Sequence, residues 1–210
     1  HQPSPMPRPS KIVCVGRNYL LHAKEMGNDL PAEPLLFLKP PSSIIREGEA
    51  IVLHPVSTHI EYEGEIAIVM GAQLSRAASE AEAVAAIGGV VALNDVTARD
   101  LQKNDGQWAR AKGLDTFCPI GEPVPAPADL DAIELVTRLN GVEVQRARGG
   151  DMAFRIPFLL HYISQYLTLE PGDVVATGTP HGVGRLSPGD VVEVELVGLS
   201  RVSNPVVAAS

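Results

Sequence analysis

A chain of 210 residues, 45% apolar and 20% charged, can bury one sizeable core, and so ordinary a composition excludes global disorder. The net charge of −8 opposes any broad nucleic-acid or anionic-membrane footprint, because both need clustered Lys and Arg. No uninterrupted apolar run is long enough to cross a bilayer, and Cys14 and Cys118 lie in apolar surroundings as two buried free thiols, so a cytoplasmic protein is expected.

Residues 1–10, HQPSPMPRPS, lack the apolar core of a signal peptide and read as a disordered leader, with those ahead of Met6 reading as an expression remnant. Residues 11–210 then read as a single domain. Lys11–Val15 is the first predicted strand, and Gly16 to Gly27 encloses a short helix. Leu35–Leu38, Ala50–His54 and Glu61–Met70 are further strands. Ser79 and Glu82 have capping-box spacing ahead of an alanine-rich helix that ends at Gly88-Gly89. Gly89–Leu93 is again a strand, and Ile133–Val144 a hairpin turning at Asn140-Gly141. Asp151 is placed to cap a helix whose Phe154, Phe158, Leu159, Tyr162 and Ile163 follow a helical period. Asp173–Ala176 and Asp190–Val197 complete the strands. They outnumber the helices and do not alternate with them regularly, which predicts a mainly β fold with some α and argues against a doubly wound parallel sheet.

The chemistry concentrates in Ile60-Glu61-Tyr62-Glu63-Gly64-Glu65-Ile66. On one strand Glu61, Glu63 and Glu65 share a face at a spacing of about 6–7 Å. Three like charges in a row repel, so solvent, cationic partners or a metal ion must offset them. Hard cations such as Mg²⁺ choose such oxygens. Asp95 follows the apolar Gly88–Leu93 segment, either as a further ligand or as an N-cap for the turn after it.

Taken together, VGRNYLLHAKEMG, LLFLKP, EYEGEIAIVMG, LNDVTARDLQ, WARAKGLDTFCPIG, PGDVVATGTPHGVG and LSPGDVVEVELVGL resemble the fumarylacetoacetate hydrolase family. They stand in family order from Lys11 onward, and the compact length is most similar to the acylpyruvate hydrolase and oxaloacetate decarboxylase branch. The resemblance implies a β-roll like the family's C-terminal domain, which makes 11–210 a catalytic domain, and it implies a homodimer. It places the metal on Glu63, Glu65 and Asp95, leaving Glu61 outside the motif, with Mg²⁺ or Mn²⁺ as the ion. His22 and Glu25 match the pair that activates water from a lid in hydrolytic members, Glu25 orienting the imidazole. Lys112 matches a pocket lysine that binds substrate oxygen or stabilises developing negative charge.

Four residues are candidates for substrate binding. Arg99 and Gln102 flank Asp95 and can reach a substrate carboxylate or carbonyl, although Arg99 equally suits a structural partnership with a nearby acid. Thr179, beside Gly178, offers a hydroxyl and amides to a carboxylate. Lys39 either lines the pocket or neutralises the acids. Arg17 and Asn18 are read as supports of the lid, and His54, His59 and His161 as structural. QRARGGD at 145–151 is more basic and glycine-rich than the polar run of many relatives, which bears on substrate selection.

The implied reaction is metal-dependent C–C cleavage of a small 2-oxo acid, by acylpyruvate hydrolysis or oxaloacetate decarboxylation. An isomerase or hydratase of unsaturated 2-oxo dicarboxylates would use the same pocket. A non-catalytic metal- or ligand-binding module is the alternative from another class.

Overall fold

The computed structural model describes residues 8–210, so residues 1–7 of the expected leader lie outside the described residues. In chain order the elements begin with β1 (Ile12–Gly16), α1 (Leu20–Glu25), β2 (Leu35–Lys39), β3 (Ile44–Ile45), β4 (Ile51–Leu53), β5 (Ile60–Tyr62) and β6 (Gly64–Met70). Next come α2 (Glu80–Ala85), β7 (Ile87–Asn94), β8 (Thr97–Ala98), α3 (Arg99–Asn104), α4 (Ala109–Gly113) and β9 (Cys118–Pro119). The last part holds β10 (Glu134–Leu139), β11 (Val142–Arg148), α5 (Ile156–Tyr166), β12 (Val174–Ala176), β13 (Gly184–Arg185), β14 (Val191–Leu196) and β15 (Arg201–Ala208).

Two five-stranded sheets dominate, ordered β2-β1-β12-β6-β7 and β11-β10-β14-β15-β4. A small sheet β13-β5-β8 and the pair β3-β9 flank them. The mixed, mainly β architecture expected from the segment pattern is present. The main core lies where Ile66, Ile68 and Met70 of β6, Val90 and Ala92 of β7 and Leu135 of β10 meet Ile156, Leu160 and Ile163 of α5. Each fully buried Ile or Leu contributes about 1.5–3 kcal/mol. The period of two sends Ala67, Val91 and Leu93 to the opposite face, where they pack with Ile12, Cys14, Val174 and Ala176. Glu65 precedes Ala67 by two residues on that face and marks its polar end.

Local chemistry explains most boundaries. Ser79 Oγ caps α2 by accepting from the Glu82 amide at 3.1 Å, but Glu82 Oε2 accepts from the Ala78 amide at 2.8 Å and not from Ser79, so the expected capping box is only half formed, and α2 stops at Ala85. The hairpin turns at Asn140 and Gly141 with φ of +52° and +80°. The helix expected to start at Asp151 instead starts at Ile156, with Pro157 in its first turn. Asp151 closes a short 3-10 turn over Gly149–Asp151 by accepting from the Arg148 amide at 2.8 Å. Asp95 caps nothing: α3 starts at Arg99 behind Ala98, without a side-chain cap. The segment Glu61–Met70 is two strands in different sheets, broken at Glu63, whose amide donates to Asn94 Oδ1 at 3.0 Å. The three glutamates therefore do not line one strand face. β15 is not among the expected strands; it pairs with β14 and, in parallel, with β4.

Ser10, the last residue of the expected leader, is hydrogen-bonded to Asp173 beside β12. Asp173 Oδ1 accepts from Ser10 N at 2.8 Å, Ser10 Oγ at 2.7 Å and Lys11 N at 3.2 Å, while Lys11 Nζ lies 2.8 Å from Oδ2. Burial alone would push this carboxyl up, but the Lys11 and amide hydrogen bonds outweigh it and hold its pKa below the ordinary value. Asp173→Asn is therefore expected to cost about 2 kcal/mol at neutral pH. Because the folded pKa is depressed, this stabilisation is complete above about pH 4 and disappears as pH falls through the folded value. Urea midpoints of both proteins at neutral and acid pH check the point; an equal gap at both would count against it.

Candidate active site

The acids converge although the strand divides. Glu63 lies in the β5–β6 bend, Glu65 on β6 and Asp95 just past β7, and each offers a carboxylate oxygen within 4.8 Å of the others, all three buried. Register brings them together: Gly64 pairs with Asn94 and Glu65 with Leu93, while Glu63 O accepts from the Asp95 amide at 2.8 Å. Gly64 admits no side chain here, since a Cβ would stand 2.0 Å from Thr137 Oγ1 of β10.

Cations crowd the cluster unevenly. Lys39 Nζ, almost wholly buried, donates to Asp95 Oδ1 at 2.6 Å and Val96 O at 3.2 Å. Lys112 Nζ donates to Asp95 Oδ2 and Thr97 Oγ1 at 2.8 Å each and to Glu63 Oε1 at 3.2 Å, which engages all three of its protons. Arg99 lies 2.6 Å from Glu63 Oε2 and donates through Nε to Glu61 Oε1 at 2.7 Å. Burial would raise Glu63, but Lys112 and Arg99 outweigh it and hold its carboxyl well below the usual range. Glu65 goes the other way: burial, with the charges of Asp95 and Glu63 added, pushes it well above the ordinary value. Its Oε1 accepts from Gly178 N at 2.9 Å, and its buried Oε2 has no partner among the described residues. An all-oxygen donor set with one orphaned carboxylate oxygen fits a hard divalent cation, which would supply the charge that Glu65 lacks.

A cavity of about 270 Å³ opens on this cluster. Glu63, His22, Arg99, Gln102, Lys112 and Thr179 all line it, together with Phe37 and Trp108. Lys112 Nζ sits 4.9 Å from the Phe37 ring centroid and 5.9 Å from that of Trp108. On α1, His22 Nδ1 lies 3.2 Å from Glu25 Oε2, which leaves Nε2 for other chemistry. Glu25 also accepts from Gly182 N at 3.2 Å, tying α1 to the turn after β12. Asn18 holds the base of α1: its side chain donates to Phe154 O and Thr177 O and accepts from Phe154 N.

Three residues with two readings each show these contacts. Lys39 neutralises Asp95, one of its two readings, and is not among the residues lining the cavity. Arg99 is a partner of Glu61 and Glu63 as well as a lining residue, and its guanidinium donates to Gln102 Oε1 at 2.9 Å. Thr179 spends its single hydroxyl proton on Gly64 O at 2.7 Å and has none left for a substrate. Glu61 is bound by Arg99 and by His59 Nε2 at 2.8 Å, apart from the triad. Both cysteines are free and buried, and burial pushes the Cys118 thiol up to about 12 and Cys14 well above its ordinary value. Neither is a nucleophile near neutrality. Sequence reading missed Gln145, which is buried beside Gly64, and the lining role of Arg17, which has no carboxylate partner among the described residues. Among the described residues no helix is long and apolar enough to cross a membrane.

Known proteins are similar to this chain over nearly its whole length. The Arabidopsis thaliana protein named oxaloacetate tautomerase FAHD1, mitochondrial, is 44% identical over 200 residues, which span 92% of this chain and 89% of the relative. Oxaloacetate tautomerase YisK of Bacillus subtilis is 38% identical, spanning 97% of this chain and 72% of its own. A crystal structure described as 5-carboxymethyl-2-hydroxymuconate delta-isomerase from Mycobacterium smegmatis superposes with a TM-score of 0.89 at 42% identity, covering 97% of this chain and 80% of that one. The family model described as fumarylacetoacetate (FAA) hydrolase C-terminal matches residues 11–207, and the chain belongs to that family.

Proposed function

We propose that the protein is a divalent-metal-dependent enzyme that moves a small 2-oxo acid through its enolate. The observation that carries this reading is a cavity lined by Glu63 and His22, with Glu65, whose Oε2 is orphaned, and Asp95 each offering an oxygen within 4.8 Å of Glu63, and with Glu25 bonded to His22. Glu63, Glu65 and Asp95 would hold Mg²⁺ or Mn²⁺, and the ion would supply Lewis-acid polarisation of the 2-oxo group. The other steps belong to the chain. Glu25 fixes His22 through Nδ1, and Nε2 acts as the base. It takes a proton from C3 of the acid, the electron pair runs to the 2-oxo oxygen, and protonation there gives the enol. Arg99 and Lys112 hold Glu63 ionised as a ligand and keep positive charge beside the oxygen that becomes negative. Relatives named oxaloacetate tautomerase support tautomerisation as the first reaction.

C–C cleavage is the second reading, favoured by the same base and the same electron sink. For an acylpyruvate, His22 deprotonates a water that adds to the distal carbonyl. The C–C bond then breaks, its pair moves to the 2-oxo oxygen, and pyruvate leaves as its enolate. For oxaloacetate, CO₂ departs and no water is needed. Incubation of the Mg²⁺-loaded protein with oxaloacetate, acylpyruvates and muconate-type acids separates these outcomes by NMR. Keto–enol exchange without fragments supports tautomerisation, and pyruvate formation supports cleavage. Both must stop with EDTA and return with fresh Mg²⁺; turnover indifferent to chelator, or none with any 2-oxo acid, would overturn the proposal.

A further inference from the structure

Gln145 stands on β11, in the large sheet that carries none of the acids, and its side chain is almost wholly buried. Its Oε1 accepts from Gly64 N at 3.0 Å. Its Nε2 donates to Thr179 Oγ1 at 2.9 Å and to Pro180 O at 2.9 Å. Thr179 Oγ1 in turn donates to Gly64 O at 2.7 Å. The N–H and the C=O of Gly64 are thus held through one closed circuit, and Gly64 is the residue between the two glutamates of the triad.

The second bond of Nε2 reaches further. Pro180 leads through His181 to Gly182, whose amide is the one that Glu25 accepts. Gly182 adopts a φ of +101°, and a Cβ there would fall 2.2 Å from Val144 O, so this turn lies pressed against the strand residue next to Gln145. One carboxamide therefore registers both halves of the site: the strand bearing Glu63 and Glu65, and the dock of the helix bearing His22.

We propose that Gln145 is a positioning residue that sets the spacing between the carboxylate triad and the His22–Glu25 pair. This rests on the reading that the triad holds a divalent metal and that His22 is the base. A residue with a packing role alone would be replaced without loss by a side chain of similar volume. A positioning residue would not, because its hydrogen bonds orient the ligands, and partners of metal ligands typically contribute about 10–100-fold to metal affinity.

Gln145→Met keeps the volume and removes all three hydrogen bonds. Two readouts need no turnover: Mn²⁺ affinity by electron paramagnetic resonance, and the change in emission of Trp108, the single tryptophan, when oxalate is added to the Mn²⁺-loaded protein. The folded variant is expected to bind Mn²⁺ about 10–100-fold more weakly. It should give a smaller Trp108 response and a kcat reduced at least about tenfold, with KM changed less. A folded variant with wild-type Mn²⁺ affinity and wild-type kcat overturns the proposal. Should Gln145→Met not fold, Thr179→Val breaks the same circuit and Thr179→Ser restores its hydroxyl. Serine should recover the Mn²⁺ affinity that valine loses, and equal affinities would overturn the proposal. Loss of Mn²⁺ binding in Gln145→Met, with no wild-type turnover of any 2-oxo acid, would support the positioning role while defeating the functional reading.

Discussion

Glu65→Gln is expected to raise the thermal midpoint of the metal-free protein while removing its divalent-metal binding and its activity. Without an ion Glu65 is a buried acid beside Asp95 and Glu63, and its Oε2 has no partner among the described residues. A glutamine keeps an oxygen for the Gly178 amide and takes away the repelling charge. Relief of an uncompensated buried charge of this kind is worth roughly 1–2 kcal/mol. For a chain of this size that corresponds to roughly 2–8 °C. Loss of a direct ligand should weaken Mn²⁺ binding by more than about 100-fold, beyond the effect of an outer partner. Calorimetry with and without EDTA, beside a Mn²⁺ titration, measures both. A lower midpoint, or Mn²⁺ affinity near that of the wild type, would count against a cation site on these three acids.

His22→Ala should divide chemistry from binding. Removal of a general base typically costs about 10²–10⁴-fold in rate, so kcat should fall within that range. Among the described residues the His22 side chain bonds only to Glu25, and it holds none of the triad in place. Mn²⁺ affinity and the affinity of the loaded protein for oxalate should therefore stay within about threefold of wild type. Retained turnover would remove His22 from the role of base, and lost Mn²⁺ binding would make it part of the metal site. Glu25→Gln should have a smaller effect of the same kind, because the Gly182 amide can still bond the side-chain oxygen.

What could be read in advance follows from the range of the interactions. Local signals worked: the Ser79 cap, the Asn140-Gly141 turn and the apolar strands are set by neighbours in sequence. Asp151 failed because a competing local bond to the Arg148 amide was closer to hand than a helix start. The row of three glutamates failed because a bend at Glu63 is set by Asn94, 31 residues away. Periodicity alone could not choose among the strand acids, whereas the ordered motifs set Glu61 apart, and in the structure Arg99 and His59 occupy it. Lys39 shows the limit of reasoning from residue type, since an ammonium near a cavity and one buried beneath it look alike in sequence. Gln145 had no signal of its own. A glutamine in a strand is unremarkable until the fold places the Gly64 peptide against it.

The pairing of β1 with β12, Ile12 opposite Val174, has a consequence for the birth of the molecule. Glu63, Glu65 and Asp95 leave the ribosome well before the strand that joins β1 to β6. The 113 residues that separate Glu65 from the Gly178 amide take about 6–23 s to make at about 5–20 residues per second. Through that interval the edges of β1 and β6 are open, and pairing at such separation is intrinsically slow. A nascent chain can thus bring the three acids together through the β6–β7 pairing before it has the Gly178 amide that holds Glu65 Oε1. The last position of Glu65 is fixed late in folding, and a chaperone that shields the open edge of β6 until β12 arrives should raise the yield of folded protein.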